Sequence, residues 1–206
     1  ENGETLEVPG DWNTQDERLF FYEGAIWYKR DFHYDLEEGK RLFVYFGAAN
    51  YEAITYLNAE ELGRHQGGFT PFSYEITDQL QDGENTLVVL VDNTRQINAI
   101  PTLMRDWWNY GGLTRRVMLI EEEETFIYDY MVQLKEGSMD TIAGWIQLDG
   151  SDLEQTVTLS IPEASLEAEI ETDANGYGTF EVPADLDLWS PEDPKLYDVH
   201  LAGATD

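Results

Sequence analysis

The chain has 206 residues, 42% of them hydrophobic and 13% aromatic, which is enough apolar material for one large or two small packed domains and too much for a disordered chain. Its formal net charge of −30, from 42 Asp and Glu against 12 Lys and Arg, argues against nucleic acid or an anionic membrane as a partner, because phosphates are repelled at long range. There is no cysteine, so disulfides, thiolate chemistry and zinc–sulfur sites are excluded.

The sequence opens on "ENGETLEVPGDW", with no visible signal peptide, and leaves cytoplasmic, periplasmic and secreted locations open. Patterns of period two then follow one another. Strands are expected at "AIWYKRDFHY" (25–34), "RLFVYFGAA" (41–49), "EAITYLN" (52–58) and "TLVVLVDN" (86–93). "RRVMLI" (115–120) and "FIYDYMVQLK" (126–135) come next, then "IAGWIQLD" (142–149), "QTVTLSI" (155–161), "LEAEIET" (166–172) and "YGTFEVP" (177–183). Turn chemistry separates them at "NAEELG", "QDGEN", "DGSD", "DANGYG" and "SPEDP". No stretch of helical length carries a 3.6-residue apolar repeat, and the longest apolar run, "LVVLV" (87–91), is far short of a membrane span. The fold class is all-β, built as β-sandwiches.

Composition shifts near "EEEET" (121–125), from a region rich in Trp, Tyr, Phe, Asn and Gly to plainer strands alternating with acids. The domain boundary is expected there, giving domains over 1–122 and 123–206, with the glutamate run as an exposed linker. Neighbouring residues of an extended strand point to opposite faces, so this run does not read as a metal site. "LWSPEDPKLYDVHLAGATD" turns into a strand and stops, so the second sandwich is expected to be truncated and to lack a closing strand.

Motifs for nucleophilic triads, phosphate loops, dinucleotide fingerprints, EF-hands and His-Glu-x-x-His metal sites are absent. Neither a cofactor nor a metal is expected. Of the three histidines, His33 reads as a half-exposed strand residue and His65, in "GRHQGGFTPF", as a turn anchor. The richest stretch is "DWWNYGGLTRR" (106–116). Trp107 or Trp108 could cover the apolar face of a pyranose while Asp106 and Asn109 hold its hydroxyls, with Gly111 and Gly112 admitting close backbone approach. The same residues also suit an aromatic core corner with a glycine bend, and local chemistry leaves both readings open.

Four stretches in fixed order, "FYEGAIWYKRDF" (21–32), "LNAEELGRHQGGFTPFSYEIT" (57–77), "GENTLVVLVDN" (83–93) and "IPTLMRDWWNYGGLTRRVMLI" (100–120), resemble the N-terminal sugar-binding domain of family 2 glycoside hydrolases, which include β-glucuronidases and β-galactosidases. "LDLWSPEDPKLYDVHL" (186–201) is similar to the end of that family's immunoglobulin-like sandwich. The resemblance implies a jelly-roll-like sugar-binding sandwich over 1–122 and an immunoglobulin-like one over 123–206. In the family a (β/α)₈ barrel beyond them carries both catalytic glutamates of a retaining reaction. No barrel and no Asn-Glu dipeptide occur here, so no catalytic residue is assigned within the chain.

By the same resemblance Asp106 is the substrate-binding residue, projecting towards hydroxyls of a terminal β-linked sugar, while Asn109, Tyr110 and Gly112 shape its loop. The aromatics of the motif are then expected to form a packed corner that aims Asp106. Arg115 is expected to pair with an acid inside the domain, Arg116 has no assigned role, and "HQGGFTPF" (65–72) is structural. The implied function is the non-catalytic front of an exo-acting β-glycosidase, whose parent enzyme could be a homo-oligomer. The alternative is an autonomous carbohydrate-binding module, with at least two of Trp12, Trp27, Trp107 and Trp108 exposed on one face.

Overall fold

The computed structural model describes residues 4–100, 102–104 and 106–203. It is all-β, and the chain separates into two compact units, Glu1–Glu122 and Glu123–Asp206.

In the first unit, β1 (Ala25–His33), β6 (Glu84–Asp92), β3 (Glu52–Leu57) and β4 (Glu60–Gln66) form one antiparallel sheet in that spatial order. A second sheet has β2 (Lys40–Phe46) between β5 (Phe72–Glu75) and β7 (Val117–Glu123). Period two explains why the sheets face each other. Leu42, Val44 and Phe46 alternate along β2, and Leu87, Val89 and Val91 along β6, all turned into one core with Ala53, Leu57 and Ile76. Burying each of the larger side chains contributes about 1.5–3 kcal/mol. Trp12 joins this core from a one-turn helix, α1 (Trp12–Gln15), whose N-cap Asp11 accepts from the Thr14 N–H at 2.8 Å.

The second unit repeats the plan. One sheet has β9 (Thr141–Asp149) between β8 (Phe126–Leu134) and β12 (Tyr177–Pro183). The other has β10 (Thr156–Ile161) between β11 (Leu166–Glu171) and β13 (His200–Ala202). Ile142, Ile146 and Leu148 of β9 meet Val157, Leu159 and Ile161 of β10 across the core.

Four features differ from the sequence reading. β4 runs where a turn was expected, because the chain reverses at Asn58 and Ala59, both at positive φ (50° and 71°), leaving Glu60 onward free to pair with β3. β5, a strand of four residues, was not expected, whereas β13 lies in the C-terminal stretch where a strand was expected. The glutamate run is no linker: Glu121–Glu123 continue β7, and the bend comes at Glu124 and Thr125. β2 is shorter than expected, ending at Phe46 before the buried Ala48, Ala49 and Asn50.

Candidate functional site

The stretch 106–113 grows out of a lattice of four buried asparagines. Asn13, carried inward on α1, donates through Nδ2 to the carbonyls of Leu19 (2.8 Å) and Tyr22 (3.0 Å), and its Oδ1 accepts the Gly111 N–H at 2.9 Å. The Trp12 N–H donates to the Gly111 carbonyl at 2.9 Å, so Gly111 is held from both sides. Asn50 exchanges backbone hydrogen bonds with Gly112 (2.9 and 3.3 Å), and its Nδ2 donates to Asn109 Oδ1 (3.2 Å) and to the Tyr110 carbonyl. Asn93 accepts the Gly24 N–H on Oδ1 at 2.9 Å and donates through Nδ2 to the Asn109 carbonyl at 2.7 Å, while Asn109 Nδ2 returns a bond to the Asn93 carbonyl.

Each such bond contributes about 1 kcal/mol net, but orphaning one buried partner costs about 1–3 kcal/mol. The loop base is therefore fixed in direction as well as in place. Both glycines are required there. A Cβ on Gly111 would overlap the Trp12 indole, and Gly112 sits at φ +145° with the Gly10 carbonyl close behind it. Beneath the loop, burial pushes the Tyr28 phenol up to about 12, against the opposing effect of a backbone hydrogen bond with Leu113. Tyr28 thus stays neutral at physiological pH.

The tip behaves differently. Trp107 (54% exposed), Trp108 (36%) and Tyr110 (47%) face solvent, so the packed corner expected of these aromatics is made instead by Asn109, Gly111, Gly112 and Leu113. Period arguments fail here because the stretch is loop, with no regular alternation to turn rings inward. Trp108 gathers the rings of Phe20 and Phe21, with centroids 5.0 and 5.3 Å away. Arg95 pairs with Glu23 at 2.9 Å and reaches the Trp107 carbonyl at 3.4 Å. Phe21, Glu23, Arg95, Trp108 and Asn109 line a pocket of about 210 Å³.

Asp106 lies at the start of this tip, exposed, and among the described residues its carboxylate has no hydrogen-bond or ion-pair partner. A free carboxylate next to exposed aromatic rings can accept from two neighbouring hydroxyls of a polyol.

The other candidates fall elsewhere. Arg115 donates to the Phe69 carbonyl at 3.2 Å and not to an acid, the exposed loop carbonyl being what its side chain reaches. His65 stacks on Phe72 (4.1 Å between ring centroids), and its Nε2 lies 3.2 Å from both the Gly67 carbonyl and Thr70 Oγ1, as a turn anchor does. His33 is exposed on β1, within 3.1 Å of Asp35. Among the described residues no three His, Asp or Glu side chains gather around a point where a metal could sit. Asn13, Asn50, Asn93, Arg95 and Glu23 were not foreseen. The available signal was Asn50 and Asn93 each ending an alternating strand run, in "GAAN" and "LVDN".

The family model for "Glycosyl hydrolases family 2, sugar binding domain" matches residues 1–123. The chain belongs to glycosyl hydrolase family 2. It is 35% identical over 127 residues to a β-glucuronidase of Bacteroides fragilis, covering 59% of this chain and 18% of that protein. It is 30% identical over 197 residues to a β-galactosidase of Thermoanaerobacter pseudethanolicus, covering 87% of this chain and 26% of the relative. In three dimensions it is similar to the Bifidobacterium dentium β-glucuronidase complexed with coumarin-3-O-glucuronide, with a TM-score of 0.84 and 26% identity, covering 96% of this chain and 40% of that one. The chain thus spans less than half the length of each of these relatives. It carries the β-sandwich region of β-glucuronidase-like family 2 glycosidases, including the sugar-binding domain.

Proposed function

We propose that this chain is the non-catalytic sugar-binding front of an exo-acting retaining β-glycosidase, and that Asp106 lends its carboxylate to hydroxyls of the terminal β-linked sugar. The observation that carries the reading is Asp106, exposed and without a partner among the described residues, on a loop whose base is fixed by buried amides. Charge-assisted hydrogen bonds are short and directional, so such a carboxylate discriminates only if its loop is held still. The bond-breaking pair of carboxylates belongs to another part of the enzyme in this reading, one protonating the leaving oxygen and one attacking the anomeric carbon. β-Glucuronides are the favoured substrate class, because the B. fragilis and B. dentium relatives are β-glucuronidases; β-galactosides come second.

In the full-length enzyme, Asp106→Ala should lower kcat/KM on a chromogenic β-glucuronide by about 30- to 1000-fold, corresponding to about 2–4 kcal/mol of lost transition-state binding. Unchanged turnover would remove Asp106 from the site. The 206-residue chain alone should show no turnover on β-glucuronide, β-galactoside or β-mannoside, and real turnover would mean a catalytic pair lies within it.

The second reading, an autonomous carbohydrate-binding module, is favoured by the neighbouring exposed rings of Trp107 and Trp108, although Trp12 is wholly buried. It requires the isolated chain to bind sugar through those rings, with loss of binding in Trp108→Ala.

A further inference from the structure

We propose that the outer face of the β12–β9–β8 sheet, in the second unit, is a binding groove for a neutral oligosaccharide. The register brings its residues together. Trp145 on the central strand pairs with Met131 of β8 and Thr179 of β12, and Ala143 pairs with Gln133 and Glu181, so all six side chains share the face opposite the core residues Ile142 and Ile146. Ala143 is the low point. With only a methyl group on the central strand, the flanking side chains rise around it and border an open groove of about 360 Å³, within the range of small-molecule sites.

The walls have the chemistry of a sugar site. Trp145 stacks beside Tyr177, their ring centroids 6.2 Å apart and their planes inclined by 27°, and the indole supplies an aromatic surface for the C–H face of a pyranose. Across β9 at the far end, Lys135 Nζ meets the Glu181 carboxylate at 2.6 Å, and the pair offers both donors and acceptors to hydroxyls. The exposed Gln133 amide and Thr179 hydroxyl supply two further orienting groups.

Charge selects among glycans. Residues 125–206 carry 18 acids against Lys135 and Lys195 only, and Lys135 is already neutralised by Glu181. Uronate- or sulfate-bearing chains are repelled from this face, and a neutral chain is not. The inference is independent of Asp106.

The test titrates the 206-residue chain with β-1,4-gluco-, β-1,3-gluco- and β-1,4-manno-tetrasaccharides and with tetragalacturonate, read by calorimetry and tryptophan fluorescence. At least one neutral tetrasaccharide should bind saturably with a Kd of about 10 µM to 1 mM, and tetragalacturonate should bind at least about tenfold more weakly. Trp145→Ala and Thr179→Arg should each weaken binding about tenfold or more. Should Trp145→Ala not fold, Thr179→Arg decides, because it changes an exposed strand position. The proposal is overturned if no tetrasaccharide binds up to about 10 mM, if the anionic one binds as well, or if folded Thr179→Arg binds like wild type. A chain that sediments as a dimer dispersed by Thr179→Arg would overturn it too, since the groove would then be a protein interface.

Discussion

The two units bury their polar side chains in different ways. Among the described residues the first buries Asn13, Asn50, Asn85, Asn93 and Asn109 with one hydroxyl, Thr55, whereas the second buries Thr125 and Thr172 with one amide, Gln155. An amide both donates and accepts in fixed directions, and here it usually joins two segments distant in sequence, as Asn93 joins Gly24 to Asn109. The Thr172 hydroxyl works over a shorter span, accepting the Gln155 N–H at 2.9 Å and donating to the Leu153 carbonyl at 2.6 Å. Irregular loops that must hold a shape are tied mainly by amides across distant segments; the second sandwich seals its edge with the Thr172 hydroxyl and a local hydrogen bond from the Gln155 amide to the Asp152 carbonyl.

The sharpest way to break that contrast is to delete one of each. Asn93→Ala deprives the part-buried Gly24 N–H and the buried Asn109 carbonyl of their partner, and should cost about 2–5 kcal/mol in denaturant unfolding of the chain. Thr172→Val also removes the partner of two groups, the Gln155 N–H and the Leu153 carbonyl, but keeps the side-chain volume and leaves no cavity, and should cost about 1–2 kcal/mol. Equal losses would mean that the amide lattice is no more demanding than the hydroxyl seal.

A weaker, pH-dependent effect separates buried amides from surface charge. Hydrogen bonding to Arg41 holds the Glu75 carboxyl below its ordinary value of 4.5. A depressed folded-state pKa stabilises the fold above the unfolded value and ceases to do so as pH falls through the folded one. Arg41→Met should therefore lower stability at pH 7 slightly and make no difference once the pH is well below 4.5, whereas the Asn93→Ala penalty should persist across that range. Parallel pH-stability curves for the two variants would contradict this. The smallest effect is expected at the loop tip: Asp106→Ala should change unfolding free energy by no more than about 0.5 kcal/mol, as for an exposed side chain without partners.

These expectations also mark where the sequence was legible. Leu42, Val44 and Phe46, or Leu87, Val89 and Val91, declare their strands because a half-buried strand must alternate. β4 was hidden because Glu60, Glu61, Arg64 and Gln66 are polar on both faces of an edge strand, which leaves no alternation to read. The aromatics misled for a related reason. Trp12, in a polar one-turn helix, is wholly buried, while Trp107 and Trp108 are not, since burial of a loop side chain is decided by which distant segment lies over it. Asp106 stood out locally beside Trp107, Trp108 and Asn109, a chemistry that suits a core corner as well, and the substrate-binding role came only from the family resemblance.

The seating of Gly111 against Trp12 and Asn13 has a consequence in time as well as in space. Its N–H bonds to a side chain 98 positions earlier. On a ribosome the one-turn helix emerges long before its glycine partner, and a contact of such high sequence separation forms late and slowly. Trp12 can pack on the strands before the loop is synthesised, but its seat against Gly111 is completed only afterwards, so the loop carrying Asp106 is expected to set after the strands of its own unit.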